Sequence, residues 1–176
     1  MRQAQPNNAH RTIAALEGDY RVAVVTTNID ELQERAGSKL VLHLNGEINQ
    51  VRSSDDPELI YFLENDDLQV GDECELGSQL RPHVLFKDEE IPNLDAMTKI
   101  FGTADILIIV RAETSEEPIK TLIELTPEAC DIFIISPKMP IWLSDKHYEF
   151  LEGKALDGLP AVVTRLLDDA MEDLDD

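Results

Sequence analysis

The chain holds only two cysteines in 176 residues, Cys74 and Cys130, and no CxxC pair. A disulfide framework and a thiolate-built structural zinc site are therefore excluded. Positive charge is scarce too: 15 Lys and Arg face 36 Asp and Glu, a formal net charge of -21. A field of that sign repels phosphate backbones and anionic lipid, which argues against nucleic acid and membrane as partners. Long apolar runs are missing. The longest aliphatic one, Ile106 to Val110, falls far short of the roughly 20 residues that cross a bilayer. Residues 1–6 are polar and lack the apolar segment of a secretory signal. Neither a P-loop nor a nucleophile elbow occurs. These absences predict a reduced, cytoplasmic protein.

What remains is ordinary globular material. A hydrophobic share of 43% against 29% charged residues suits a folded core rather than a disordered chain. The length predicts one domain.

Along the chain, apolar runs alternate with amphipathic stretches. Asn7 and Asn8 can cap a helix with Ile13 and Leu16 on one face, and Gly18 is placed to end it. Residues 22–26 form a short β-branched run, apolar on both faces as a parallel strand should be. Residues 30–35 suit a helix stopped by Gly37, and residues 40–44 a second strand. From 50 to 80 the periodicity weakens: a short helix is predicted over 57–63, and Asp66, Asp67, Gly71, Asp72 and Gly77 mark loops. Strands are predicted at 83–86, 105–110 and 132–135, with helices at 94–101, capped by Asn93, and at 118–125. A last helix starts near 154–158, with Pro160 in its first turn and Val163, Leu166, Leu167 and Ala170 on its apolar face. Residues 168–176 are an acidic tail expected to fray. Strands alternating with helices predict an α/β domain with a mostly parallel sheet.

Several stretches carry a resemblance. Pro6-Asn7-Asn8-Ala9-His10, Thr27-Asn28-Ile29-Asp30, Glu34-Arg35-Ala36-Gly37-Ser38, Leu42-His43-Leu44-Asn45-Gly46-Glu47, Gly77-Ser78-Gln79-Leu80-Arg81-Pro82-His83-Val84 and Ala104-Asp105-Ile106-Leu107-Ile108-Ile109-Val110 resemble consecutive sirtuin motifs in order and spacing. The likeness extends over residues 6–167 and is closest to the short bacterial sirtuins without zinc cysteines. It implies a Rossmann-like, mostly parallel sheet with flanking helices, incomplete relative to a full sirtuin. Residues 48–80 would be the remnant of the family's small module.

Sirtuins are NAD-dependent protein deacylases, and the resemblance carries their site over only in part. Asn28 and Asp30 match the motif that binds nicotinamide, with Thr27 in place of its glutamine. Ser136 stands near the implied adenosine contact. Thr27, Asn28, Asp30 and Ser136 are thus the implied, vestigial cofactor contacts. Asn45 occupies the position of the histidine that serves as general base on a ribose hydroxyl. An amide does not titrate near neutral pH, so the factor of about a hundred to ten thousand that such a base supplies is lost. No catalytic residue is expected. His43 shares the face of Asn45 and is expected to be a satisfied strand histidine rather than a substitute base. The implied glycine-bearing nucleotide contact reads Arg111-Ala112-Glu113, and the implied peptide-gripping motif reads Lys87-Asp88-Glu89. Asp88, Glu89, Glu90, Glu116 and Glu117 are expected to be solvated loop acids, and Trp142 a core anchor. Cys74 with His83 is too sparse for a metal site, and none is expected.

The first residues also correspond to a point beyond the family's Gly-Ala-Gly turn and first strand. The resemblance then implies a gap between the strands at 22–26 and 83–86, closed by direct pairing together with a further interface. The expected function is a catalytically inactive sirtuin-like protein that acts through a protein partner or as a homo-oligomer, with no cofactor, or NAD if any. The alternatives are an NAD-dependent protein deacylase or ADP-ribosyltransferase, and a nucleotide- or nicotinamide-binding sensor.

Overall fold

The computed structural model describes residues 3–63, 67–86, 89–110, 119–139 and 146–172. Helix α1 (Asn8–Ala15) starts on a reciprocal cap: Asn7 Oδ1 accepts the His10 amide, and His10 Nδ1 accepts the Asn7 amide, each at 3.2 Å. A 3-10 turn through Gly18 ends it. Strand β1 (Val24–Thr26) pairs in parallel with β2 (Val41–His43), and the short helix α2 (Leu32–Ala36) links them. Gly37, at φ 112°, stops α2.

Next come β3 (Gly46–Ser53), β4 (Ile60–Phe62) and β5 (Leu80–Val84), an antiparallel sheet in the order β4-β3-β5. Helix α3 (Leu94–Phe101), β6 (Ile106–Val110), α4 (Ile119–Glu124), β7 (Asp131–Ser136), β8 (Glu149–Glu152) and α5 (Ala155–Glu172) complete the chain. Strands β6, β7 and β8 form a parallel sheet in that order.

Strand β7 organises the core because both of its faces are buried. Ile132 and Ile134 join Met97, Phe101, Leu122 and Ile123 beneath α3 and α4. Phe133 and Ile135 face α1 and α5 through Ala9, Leu16, Leu159, Val162, Val163 and Leu166. Val25, Leu42 and Leu44 belong to the first cluster and Val22 to the second. The two parallel sheets therefore share the first core, and the segment leading into β1 reaches the second, giving the layered α/β architecture that the sequence predicts.

Four expectations are corrected. Residues 57–63 are not a helix: seven residues are a poor helix nucleus, and Ile60-Tyr61-Phe62 are strand formers that find a ladder on β3. The strand near His83 is not in the parallel sheet. It runs over Leu80–Val84 against β3, with Glu47 opposite His83 and Arg52 opposite Arg81. It ladders with β3 and not with β1, so the predicted pairing of the 22–26 and 83–86 strands does not form. Strand β8, which the sequence pattern does not predict, pairs in parallel with β7 instead and is the fifth parallel strand among the described residues. Finally, α5 begins at Ala155 and holds Pro160 in its interior, continuing through Glu172 past the expected fraying point. Proline forfeits one main-chain bond there. Burial of Leu159, Val162, Val163 and Leu166 carries the helix across.

Candidate functional site

The carboxyl end of β1 opens into a loop at residues 27–30 that leads to α2. Asp30 Oδ1 accepts the Leu32 amide at 3.1 Å and so starts the helix. The loop is fastened through four consecutive carbonyls. Thr26 accepts the Leu44 amide at 2.8 Å, and Thr27 accepts Asn45 Nδ2 at 2.8 Å. Asn28 accepts His43 Nδ1 at 2.7 Å, and Ile29 accepts the Ile48 amide at 2.9 Å. All four donors come from the corner where β2 turns into β3. With the main chain held this way, the side chains of Thr27 and Asn28 stand exposed.

Gly46 makes that corner possible. It sits at φ 76°, and a Cβ there would lie 2.1 Å from the His83 carbonyl oxygen on β5. Asn45, immediately before it, is exposed. Its side-chain nitrogen is committed to the Thr27 carbonyl, an acceptor that only a donor can satisfy. Asn45 is therefore a brace for the loop and has no proton-accepting group to offer a substrate.

His43 is no substitute base. It is 4% exposed and lies between two acceptors, the Asn28 carbonyl and Glu34 Oε1, the latter 2.8 Å from Nε2. Burial alone would lower its pKa. The hydrogen bonds to Glu34 and Asn28, with the carboxylates of Glu34 and Glu47, outweigh burial and raise it. A general base needs a lone pair aimed at the substrate, and both ring nitrogens of His43 are engaged within the protein. It is the satisfied histidine that the sequence suggests. Beside it, burial raises the pKa of Glu47, with His43 opposing and Glu34 adding to the shift.

Thr27, Asn28, Asp30 and Asn45 thus meet around one loop. Ser136 lies apart, buried at the carboxyl end of β7 in the other parallel sheet. Its hydroxyl accepts the Lys138 amide at 3.4 Å and its carbonyl the Gly153 amide at 3.1 Å. Lys87, Asp88, Arg111, Ala112, Glu113, Glu116, Glu117 and Trp142 fall outside the described residues.

Sequence reasoning missed a second polar cluster, on the antiparallel sheet. Glu89 is not a solvated loop acid: one carboxylate oxygen is 2.7 Å from Arg52 Nη2 and 2.8 Å from the Phe86 amide, and the other pairs with Arg81. Its pKa is lowered, first by the Phe86 amide; burial opposes that shift, and the Arg52 and Arg81 guanidinium groups add to the lowering. Arg52 is buried, and burial of a cation requires such a partner. Arg81 also lies over the Phe86 ring, 5.1 Å from its centroid. His83, buried next to these cations, has its pKa lowered by burial and then by Arg52 and Arg81. Cys74 contacts Ser53 Oγ at 3.5 Å, and no group of three metal-ligating side chains among the described residues includes Cys74 or His83.

Residues 1–118 match the Sir2 family model. The chain is 32% identical over 172 residues to an NAD-dependent protein deacylase of Helicobacter pylori, covering 98% of this chain and 73% of that protein. It is 36% identical over 135 residues to an NAD-dependent protein deacylase of Aggregatibacter actinomycetemcomitans, covering 77% and 64% respectively. Among solved structures, a Sir2 homologue in complex with NAD superimposes with a TM-score of 0.82 at 28% identity, over 96% of this chain and 67% of that one. A Sir2 homologue variant in complex with ADP-ribose gives the same TM-score, 0.82, over 95% and 69%.

Proposed function

Because the chain belongs to the Sir2 family, we propose that it keeps the nicotinamide end of an NAD site, is silent in deacylation, and acts by binding another protein or a second copy. One observation carries this reading: Asn45 stands at the general-base position with its amide spent on the Thr27 carbonyl. The residues present fit the cofactor unevenly. Asn28 is exposed on a loop whose main chain is already fixed, so its side chain is free to meet an amide-bearing ring. At the ribose end, Asn45 carries no titratable group, and His43 is buried with both ring nitrogens engaged by Asn28 and Glu34. NAD, when bound, supplies the bond whose cleavage releases nicotinamide. This chain's own part would be to orient that ring through Asn28 and Asp30. The protein partner is supported by the apolar side chains at the edge of the antiparallel sheet, where Phe62 of β4 is 72% exposed and Ile60 44%.

A second reading, an NAD-dependent protein deacylase, is favoured by the names of the relatives at 32–36% identity. It requires a base from outside the loop described above. One experiment separates the two. The purified chain is incubated with NAD and an acyl-lysine peptide, and released nicotinamide is measured. The first reading expects no release above the protein-free control. Release that survives repurification and disappears in Asn28→Ala would overturn it in favour of the second.

A further inference from the structure

The corner that fastens the 27–30 loop also brings three ligating side chains to one point. Glu34 comes from α2, His43 from the end of β2 and Glu47 from the start of β3, and one donor atom of each lies within 4.8 Å of the others. Donors held by one divalent ion at about 2.0–2.2 Å stand roughly 3–3.4 Å apart, from octahedral to tetrahedral angles. His43 Nε2 and Glu34 Oε1, at 2.8 Å, are already close to such an edge. A change of rotamer at a glutamate closes the remaining span.

The histidine is oriented for the task. Its Nδ1–H is given to the Asn28 carbonyl at 2.7 Å, the outer hydrogen bond that fixes the tautomer and ring orientation of ligating histidines and leaves Nε2 to face the ion. Two carboxylates and one imidazole provide an N/O set suited to zinc-like ions. Glu34 is 36% exposed in its side chain, which leaves an entry path and open coordination positions. The ion pair between His43 and Glu34 uses only two of the three groups. Glu47 brings the third, a carboxylate oxygen within 4.8 Å of the other two donor atoms.

We propose that Glu34, His43 and Glu47 form a binding site for a divalent transition-metal ion of the Zn2+ type. The ion displaces the proton between His43 and Glu34 and takes its place, so binding releases a proton. Since His43 holds the Asn28 carbonyl, an occupied site fixes the loop that carries Asn28 and Asp30. The proposal stands whether or not the chain turns over NAD. No ligand motif marks this spacing in the sequence, which is why no metal is expected from it.

The test uses the full chain, stripped with a chelator and titrated with ZnCl2 by calorimetry and with Co2+ by visible absorption. One ion per chain is expected, with Co2+ d–d bands and proton release. Because His43 is buried, Glu34→Gln and Glu47→Gln carry the test. Each should weaken binding by about 10-fold or more, measured at a temperature where circular dichroism shows the metal-free variant folded. A His10→Gln/His147→Gln double variant should bind like the parent. No heat and no bands up to about 1 mM ion, or equal affinity in the parent and both glutamine variants, would overturn the proposal.

Discussion

Replacing Gly46 by alanine asks whether the β2–β3 corner is as tightly determined as the site requires. Two costs add at this position. Holding a residue with a Cβ at φ 76° costs about 1–2 kcal/mol, the usual left-handed penalty. The new Cβ would also sit 2.1 Å from the His83 carbonyl oxygen and 3.2 Å from Val84 Cα. Those are main-chain atoms of β5, so relief requires moving a strand, and such overpacking costs about 1–3 kcal/mol. The sum, about 2–5 kcal/mol, is a large part of a typical domain stability of about 5–15 kcal/mol. The pairs at risk are Gly46 with Val84 and Glu47 with His83, together with the 3.0 Å bond from the Leu85 amide to the Asn45 carbonyl. Gly71 supplies the comparison: it sits at φ 102° with nothing within 4 Å of an added Cβ. Gly71→Ala should therefore cost only the conformational part, about 1–2 kcal/mol. Urea unfolding followed by circular dichroism, with m-values checked for constancy, measures both. If Gly46→Ala cost no more than Gly71→Ala, the close approach of β5 to this corner would be refuted.

Two further outcomes are expected. Glu89→Ala should destabilise by about 3 kcal/mol, since it strands a buried guanidinium. A companion Arg52→Met change should recover much of that loss, and a double variant no more stable than Glu89→Ala would contradict the assignment. The second concerns pH, measured with a chelator present. His43 has a folded pKa above its ordinary value. Its contribution to stability is thus complete below about pH 6.5 and is lost as pH rises through the folded value. The stability gap between the parent and His43→Gln should accordingly narrow as pH is raised from about 6.5. Taking that difference removes the opposing behaviour of His83, whose lowered pKa costs stability as pH falls. A gap constant with pH would count against a charged His43 in the native state.

Much of the fold is legible in the sequence because its elements follow simple periods. Helix α3 matches its predicted bounds, Leu94–Phe101, although Asn93 sits left-handed and makes no side-chain cap, and the aliphatic run of β6 reads as the strand it is, with Ile109 buried. Strand β3 is hidden because its last three residues, Val51, Arg52 and Ser53, are all buried although two are polar. Arg52 is inside because Glu89 comes to it from 37 positions away, a pairing that no local pattern encodes. Ser53 is inside because its hydroxyl accepts the amides of Asp55 and Asp56 at 3.2 Å each. Strand β8 is too short, at four residues with only Phe150 and Leu151 turned inward, to stand out from its flanking glutamates. At the site, Asn45 could be read as a lost base from residue type alone. Its role as a donor to Thr27 could not, because that depends on how β2 turns at Gly46.

Between β1 and β6, among the described residues, no ladder joins the two parallel sheets. Part of the fastening is done by the first twenty residues. Glu17 accepts the Lys39 amide at 2.7 Å just ahead of β2, and Tyr20 donates its hydroxyl to the Leu166 carbonyl at 2.6 Å on α5. Gln5 meets Arg35 of α2 at 3.1 Å, while Ala9 lies in the core beneath α5. This segment is a clasp across both halves, and releasing it opens both at once. In hydrogen–deuterium exchange, slow amides of β2 and of β7 should therefore share a single opening free energy rather than form two separate protection classes. A protease that cuts within residues 16–23 would, by the same mechanics, cost the cooperativity of the whole domain and not merely a frayed end.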